Sequence, residues 1–170
     1  MNILFLGDVM GKSGRQVVIK ELPELKRKLE IDTVILNGEN AAGGFGITPK
    51  ICEDFYELGV DIITTGNHVW DQKEIIPYIS KDPNLLRPHN FPQNVPGQGF
   101  VIYKDLMNRN ILVINVMARL FMDPLNDPIE SIDNIIRDYK IGEEVNAIVI
   151  DVHGEATSEK MAIGHAFDGK

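Results

Sequence analysis

Thr33-Val34-Ile35-Leu36-Asn37-Gly38-Glu39-Asn40 is the stretch whose reading decides the fold. Its apolar run is short, continuous and rich in β-branched residues, as expected of a strand buried on both faces. The run stops where a carboxylate and a carboxamide follow side by side, Glu39 and Asn40. Three other apolar runs end the same way. Asn2 to Leu6 breaks into Gly7-Asp8, Val60 to Thr64 leads to Gly66-Asn67-His68, and Ala147 to Asp151 leads to His153.

Helical patterns separate these runs. Ser13 to Leu29 carries an apolar stripe of Val17, Val18, Leu22, Leu25 and Leu29, with Pro23 expected to kink or restart it. Thr48-Pro49 is a helix start, hydroxyl as N-cap and proline at the first helical position, and Gly59 closes that helix. Asp71 is expected to cap a short helix through Ile79, before a long irregular connection punctuated by Pro83, Pro88, Pro92 and Pro96. A connection of that length suits the shaping of a site better than plain linkage. Phe100 to Tyr103 and Asn110 to Val116 read as an antiparallel pair around a polar turn. Asp127-Pro128 repeats the cap-then-proline start of a helix to about Tyr139, and a last helix runs from Thr157 or Ser158 to Phe167. The alternating order predicts an α/β fold with a mostly parallel central sheet. At 170 residues, 44% of them hydrophobic, residues 1–170 are expected to form one domain.

Composition narrows the function classes. A net charge of −8 argues against general nucleic-acid binding, which begins with a basic stripe. A small phosphorylated substrate stays compatible, because a bound cation reverses the local field. No run reaches the roughly 20 apolar residues that span a bilayer, so no membrane association is expected. The start Met1-Asn2-Ile3-Leu4 reads as a strand and not a signal peptide, and the single Cys52 as an inert core thiol. A cytoplasmic protein follows from these features, and a homo-oligomer is compatible with them.

Open α/β sheets gather ligands at the carboxyl ends of their strands. Asp8, Glu39, Asn40, Asn67, His68 and His153 all fall at such ends. Singly, each has an ordinary role as helix cap, turn former or loop histidine; four strand ends together favour a site. Carboxylate, amide oxygen and imidazole suit iron, manganese or zinc, and two cations about 4 Å apart can clamp a phosphate while activating water. Glu39 is the natural bridge, since one carboxylate can give an oxygen to each ion. A rival reading starts from Gly7-Asp8-Val9-Met10-Gly11-Lys12-Ser13, which looks like a nucleotide-binding P-loop with Asp151 as its magnesium aspartate. That loop needs four residues before Gly-Lys-Ser and only three are present.

Gly7-Asp8-Val9-Met10-Gly11, Asn37-Gly38-Glu39-Asn40-Ala41-Ala42-Gly43-Gly44-Phe45-Gly46, Thr65-Gly66-Asn67-His68-Val69-Trp70-Asp71 and the run from Asp151-Val152-His153-Gly154 to Glu159-Lys160 closely resemble blocks of the YmdB-like branch of the calcineurin-type metallophosphoesterases. The resemblance implies a metallophosphoesterase-type α/β sandwich with a dinuclear site acting on phosphodiesters, cyclic nucleotides being the usual class. It implies that Asp8 and Asn40 bind one ion, Glu39 bridges, Asn67 and His153 bind the second, and His68 protonates the leaving alkoxide or steadies the phosphate. The larger superfamily has a histidine where Met10 stands, and in this branch Asn40 takes its place. The family continues past the last helix with a strand and a Gly-Thr-His-Thr-His block, whereas this chain ends at Lys170. The fold is therefore expected to be incomplete at the C-terminus, with each ion lacking one imidazole. A catalytically silent remnant or binding module is the alternative to a working phosphodiesterase.

Overall fold

The computed structural model describes all 170 residues. Strand β1 (Ile3–Leu6), helix α1 (Gly11–Lys28), β2 (Thr33–Asn37), α2 (Pro49–Glu57), β3 (Ile62–Thr64) and α3 (Ile75–Ile79) form the first half. The second half is β4 (Phe100–Lys104), β5 (Asn110–Met117), α4 (Pro128–Ile136), β6 (Ala147–His153) and α5 (Thr157–Phe167). The strands make two three-stranded sheets, β1-β2-β3 and β4-β5-β6. All pairings are parallel except β4 with β5, which is antiparallel as the sequence implies. The expected parallel character holds, divided between two sheets.

Alternation along the strands shows how the sheets stack. Val34 and Leu36 pack with Val18, Leu22, Cys52, Phe55 and Ile75 of α1 to α3, while Ile35 between them packs with Ile62, Leu86, Ile111 and Val113. On β5, Leu112, Ile114 and Val116 pack against Ile132 and Ile135 of α4 and Ile163 of α5. A period of two along each strand thus sends one row of side chains to the helices and the other to the facing sheet. The result is four layers, helices outside and two sheets face to face.

Several local readings are corrected. α1 begins at Gly11 and contains Pro23 without interruption. The amide that Pro23 lacks would have met the carbonyl of Ile19, a residue 54% exposed, where water can satisfy it. Val17 and Leu29 of the proposed stripe face solvent, and Val18 and Leu22 carry the packing. Thr48 caps α2 as expected, its hydroxyl accepting from the amide of Ile51 at 3.3 Å. Asp71 does not cap α3, which starts at Ile75; its carboxylate binds His68 instead. α4 stops at Ile136, short of Tyr139, and β6 continues through His153. β1 is an edge strand, and Phe5 is 41% exposed, so unlike β2 this strand is not buried on both faces. No helix is long and apolar enough to cross a membrane.

Candidate metal centre

The row of side chains between the sheets changes character at its carboxyl end. Ile35 is followed two residues on by Asn37, Ile62 by Thr64, Val113 by Asn115, and Val149 by Asp151 and then His153. Apolar packing between sheets thereby gives way to a buried polar layer. Asn37 donates its amide to Asp151 Oδ2 at 2.9 Å and accepts the Glu39 amide at 3.2 Å. Asn115 accepts the Thr65 amide at 3.0 Å, and the Thr65 hydroxyl donates to the Leu86 carbonyl. These bonds fix the loops that follow β2 and β3 against the ends of β5 and β6.

Glu39 stands at the centre and is 2% exposed. His153 Nδ1 lies 3.2 Å from Glu39 Oε2, yet Oε2 makes no hydrogen bond. His153 Nε2 pairs with Asn67 Oδ1 at 2.8 Å. Asn40 sends its amide nitrogen to both oxygens of Asp8, each at 3.0 Å. His68 holds Asp71 through Nδ1 at 2.6 Å and stands edge-on to the ring of Phe45. All six residues singled out in the sequence therefore converge on one end of the sandwich. A cleft of about 290 Å³ opens there between Phe5, Gly7 and Asp8 on one side and Asp151, His153 and Lys160 on the other.

Burial pushes the Glu39 carboxyl up to about 7; His68 works against that shift, and the carboxylates of Asp8 and Asp151 add to it. Burial also raises Asp151. It lowers His153, which favours the neutral imidazole that can give a lone pair to a ligand. Gly66 makes this crowding possible. A Cβ there would lie 1.5 Å from Glu39 Oε2 and 2.6 Å from the His153 ring.

The donor set fits a cation. Three carboxylates, Asp8, Glu39 and Asp151, gather without an ion pair to lysine or arginine, and an orphaned carboxylate oxygen is buried among them. A buried acceptor without a donor is costly unless something positive meets it. No three His, Cys, Asp or Glu side chains have the spacing of a preformed site, so a cation here would have to draw on amide oxygens as well, and Asn40 and Asn67 are the amides at hand. Asn40 would offer its oxygen by turning its terminal amide over, which leaves its shape unchanged.

Sequence reasoning left Asp151, Asn37, Asn115 and Gly66 out of the site. Polar residues inside all-buried strands were the available signal for Asn37 and Asn115. The P-loop reading meets a further obstacle: the Gly11 amide donates to the Asn40 carbonyl at 2.9 Å and the Val9 amide to the Asn37 carbonyl at 3.0 Å, so neither is free to cradle phosphate.

A four-layer sandwich whose polar strand ends meet at one edge has the architecture of the calcineurin-type metallophosphoesterases. The family model described as YmdB-like protein matches residues 4–170, and the chain belongs to that family. It is 45% identical over its whole length to a 2',3'-cyclic-nucleotide 2'-phosphodiesterase of Bacillus subtilis, covering 63% of that protein. A crystal structure of a hypothetical protein from Thermus thermophilus superposes with a TM-score of 0.91 at 39% identity, covering all of this chain and 64% of that one. A Mycoplasma pneumoniae structure described as a novel phosphatase gives 0.89 at 34%, over 98% and 60% of the two chains. The chain thus spans about three fifths of the length of the relatives it matches.

Proposed function

We propose that the protein is a metal-dependent phosphodiesterase acting on small phosphodiesters, with cyclic nucleotides as the substrate class. The observation that carries this reading is Glu39, a buried carboxylate with an unpartnered oxygen set between Asp8, Asn40, Asn67 and His153. Asp8 and Asn40 would hold one cation, Glu39 would bridge, and Asn67 and His153 would hold the second; iron, manganese and zinc all accept such donors. Bound there, the cations supply a lowered pKa for water and neutralise charge that develops on the phosphoryl oxygens.

The chain's own residues do the rest. Asp71 fixes Nδ1 of His68, so the Nε2 proton of the protonated ring is the one handed to the leaving alkoxide. Asn37 and Asp151 brace the backbone that presents Glu39. The name of the Bacillus subtilis relative supports the cyclic-nucleotide class. The same reading takes residues 1–170 as a single domain, in a cytoplasmic protein that needs neither a nucleic-acid coat nor a membrane. Because no three His, Cys, Asp or Glu side chains are grouped closely enough to hold an ion, a silent binding module is the second reading.

Turnover separates the two. With manganese, the full-length protein hydrolyses bis(p-nitrophenyl) phosphate, and Glu39→Gln lowers kcat/KM by about a thousandfold, the scale of losing a group that stabilises transition-state charge, with its circular dichroism unchanged. Equal turnover by the variant removes Glu39 from the mechanism.

A further inference from the structure

A second polar cavity, of about 400 Å³, lies between the proline-rich connection and the first turn of α4, with Arg87, His89, Phe91, Gln93, Asn126 and Glu130 on its walls. Its size suits a small ligand. Hydrogen bonds tie it to the metal centre. The His89 amide donates to the Asn115 carbonyl at 2.7 Å, and the Asn90 side chain holds both backbone groups of Met117, at 2.7 and 2.9 Å. Met117 is the β5 residue paired with His153.

Arg87 is the unusual member. It is only 6% exposed, and no carboxylate lies within ion-pair reach of its guanidinium. Nη1 donates to the carbonyls of Pro88 and His89 at 2.8 and 3.5 Å, which accounts for one corner as a brace of the connection. Nε is buried without a partner, and Nη2 makes no hydrogen bond within the protein. The free edge of the fork, Nε with Nη2, is the edge that binds a pair of acceptors side by side. A buried cation with donors to spare is costly unless a ligand meets it.

The rest of the lining decides what kind of ligand. Glu130 is exposed, unpaired and faces the same cavity, and Asp127 lies next to it, already engaged by Arg119 at 2.9 Å and by the amides of α4. With Asp127 neutralised by Arg119, one guanidinium faces one free carboxylate, so the cavity has no net positive charge to draw in a phosphate. A neutral ligand with an acceptor edge for Arg87 and a donor edge for Glu130 matches the charges, and His89 and Phe91 add aromatic side chains to the walls. Guanine has both edges: O6 and N7 accept, and N1–H with N2–H₂ donate.

We propose that this cavity is a guanine-recognising subsite, in which Arg87 donates to O6 and N7 and Glu130 accepts from N1–H and N2–H₂. Its bearing on turnover rests on the phosphodiesterase reading, whereas its binding of the base does not. Calorimetry on the metal-free protein with guanosine and with adenosine tests binding alone. Guanosine is expected to bind about ten- to a hundredfold more tightly, the discrimination that a good bidentate pair supplies, and Glu130→Gln, on an exposed side chain that the fold does not need, abolishes most of that preference. Arg87→Lys keeps the charge but not the fork and loses it too. With manganese, kcat/KM for guanosine 2′,3′-cyclic phosphate relative to the adenosine compound falls about tenfold in Glu130→Gln, matching the low end of that discrimination. Equal binding of the two nucleosides, or a preference untouched by Glu130→Gln, overturns the proposal. Guanosine preference in a protein that does not turn over bis(p-nitrophenyl) phosphate supports the subsite and sinks the phosphodiesterase reading.

Discussion

Replacing Gly66 by alanine should disable the site while leaving the fold standing. The added Cβ would sit 1.5 Å from Glu39 Oε2 and 2.6 Å from the Cγ and Cδ2 atoms of His153. Ordinary contact between such atoms is roughly 3.5 Å, so the carboxylate must withdraw by roughly 2 Å or the imidazole must swing away. Glu39 is the easier to move, being the far end of a flexible chain, and it is the residue the proposed mechanism needs in place. A misplacement of about 1 Å at a reacting centre costs on the order of a hundredfold. The variant should therefore lose at least about a hundredfold in kcat/KM against bis(p-nitrophenyl) phosphate. The stability cost should be that of an overpacked site, about 1–3 kcal/mol. Turnover with manganese, read beside thermal unfolding, measures both. A folded Gly66→Ala protein with turnover within threefold of the parent refutes the reasoning, because the cradle around Glu39 would then not matter.

Gly164→Ala makes the same chemical change in the interior of α5, where a Cβ meets nothing within 4 Å. It should stabilise the protein by about 0.5–1 kcal/mol and spare turnover; a lower melting temperature would contradict this. Burial alone would raise the carboxyl of Asp105, but hydrogen bonds from the Arg109 backbone and side chain and the Met107 amide bring it below its ordinary value. A depressed folded pKa adds stability above the unfolded value near 3.9 and loses it as pH falls through the folded one. The urea midpoints of wild type and Asp105→Asn should thus differ at pH 7 and draw together as the pH falls below the unfolded value near 3.9. Cys52 is wholly buried and burial pushes its thiol up, so the native protein should resist a disulfide reagent at pH 8 and react once unfolded; fast native labelling would place the thiol elsewhere.

Much of the architecture was legible because it is local. A strand that packs helices on one face and a sheet on the other shows itself as a continuous apolar run, and the caps Thr48-Pro49 and Asp127-Pro128 declare their helices within four residues. Where local chemistry has two partners to choose from, the sequence misleads. Asp71 has the side chain and position of an N-cap, but His68 three residues earlier takes its carboxylate, and α3 starts later. Pro23 carries a helix-breaking signal that an exposed neighbouring turn makes harmless. The site divided along the same line. Glu39, Asn40, Asn67, His68, Asp8 and His153 stood out as polar residues after apolar runs. Asn37 and Asn115 did not, because their partners Asp151 and Thr65 lie 114 and 50 residues away, and nothing short of the packed sheets brings them together. Gly66 is read as a turn residue in sequence, and only the position of Glu39 Oε2 shows why no side chain fits there.

The account turns on whether the strand ends hold metal through Glu39. Manganese titrated into the metal-stripped full-length protein, followed by calorimetry and by elemental analysis after dialysis, should show two ions per chain in the wild type. Glu39→Gln, folded by circular dichroism, should lose at least one of them and weaken the other. Equal stoichiometry and affinity in the two proteins would contradict the central claim.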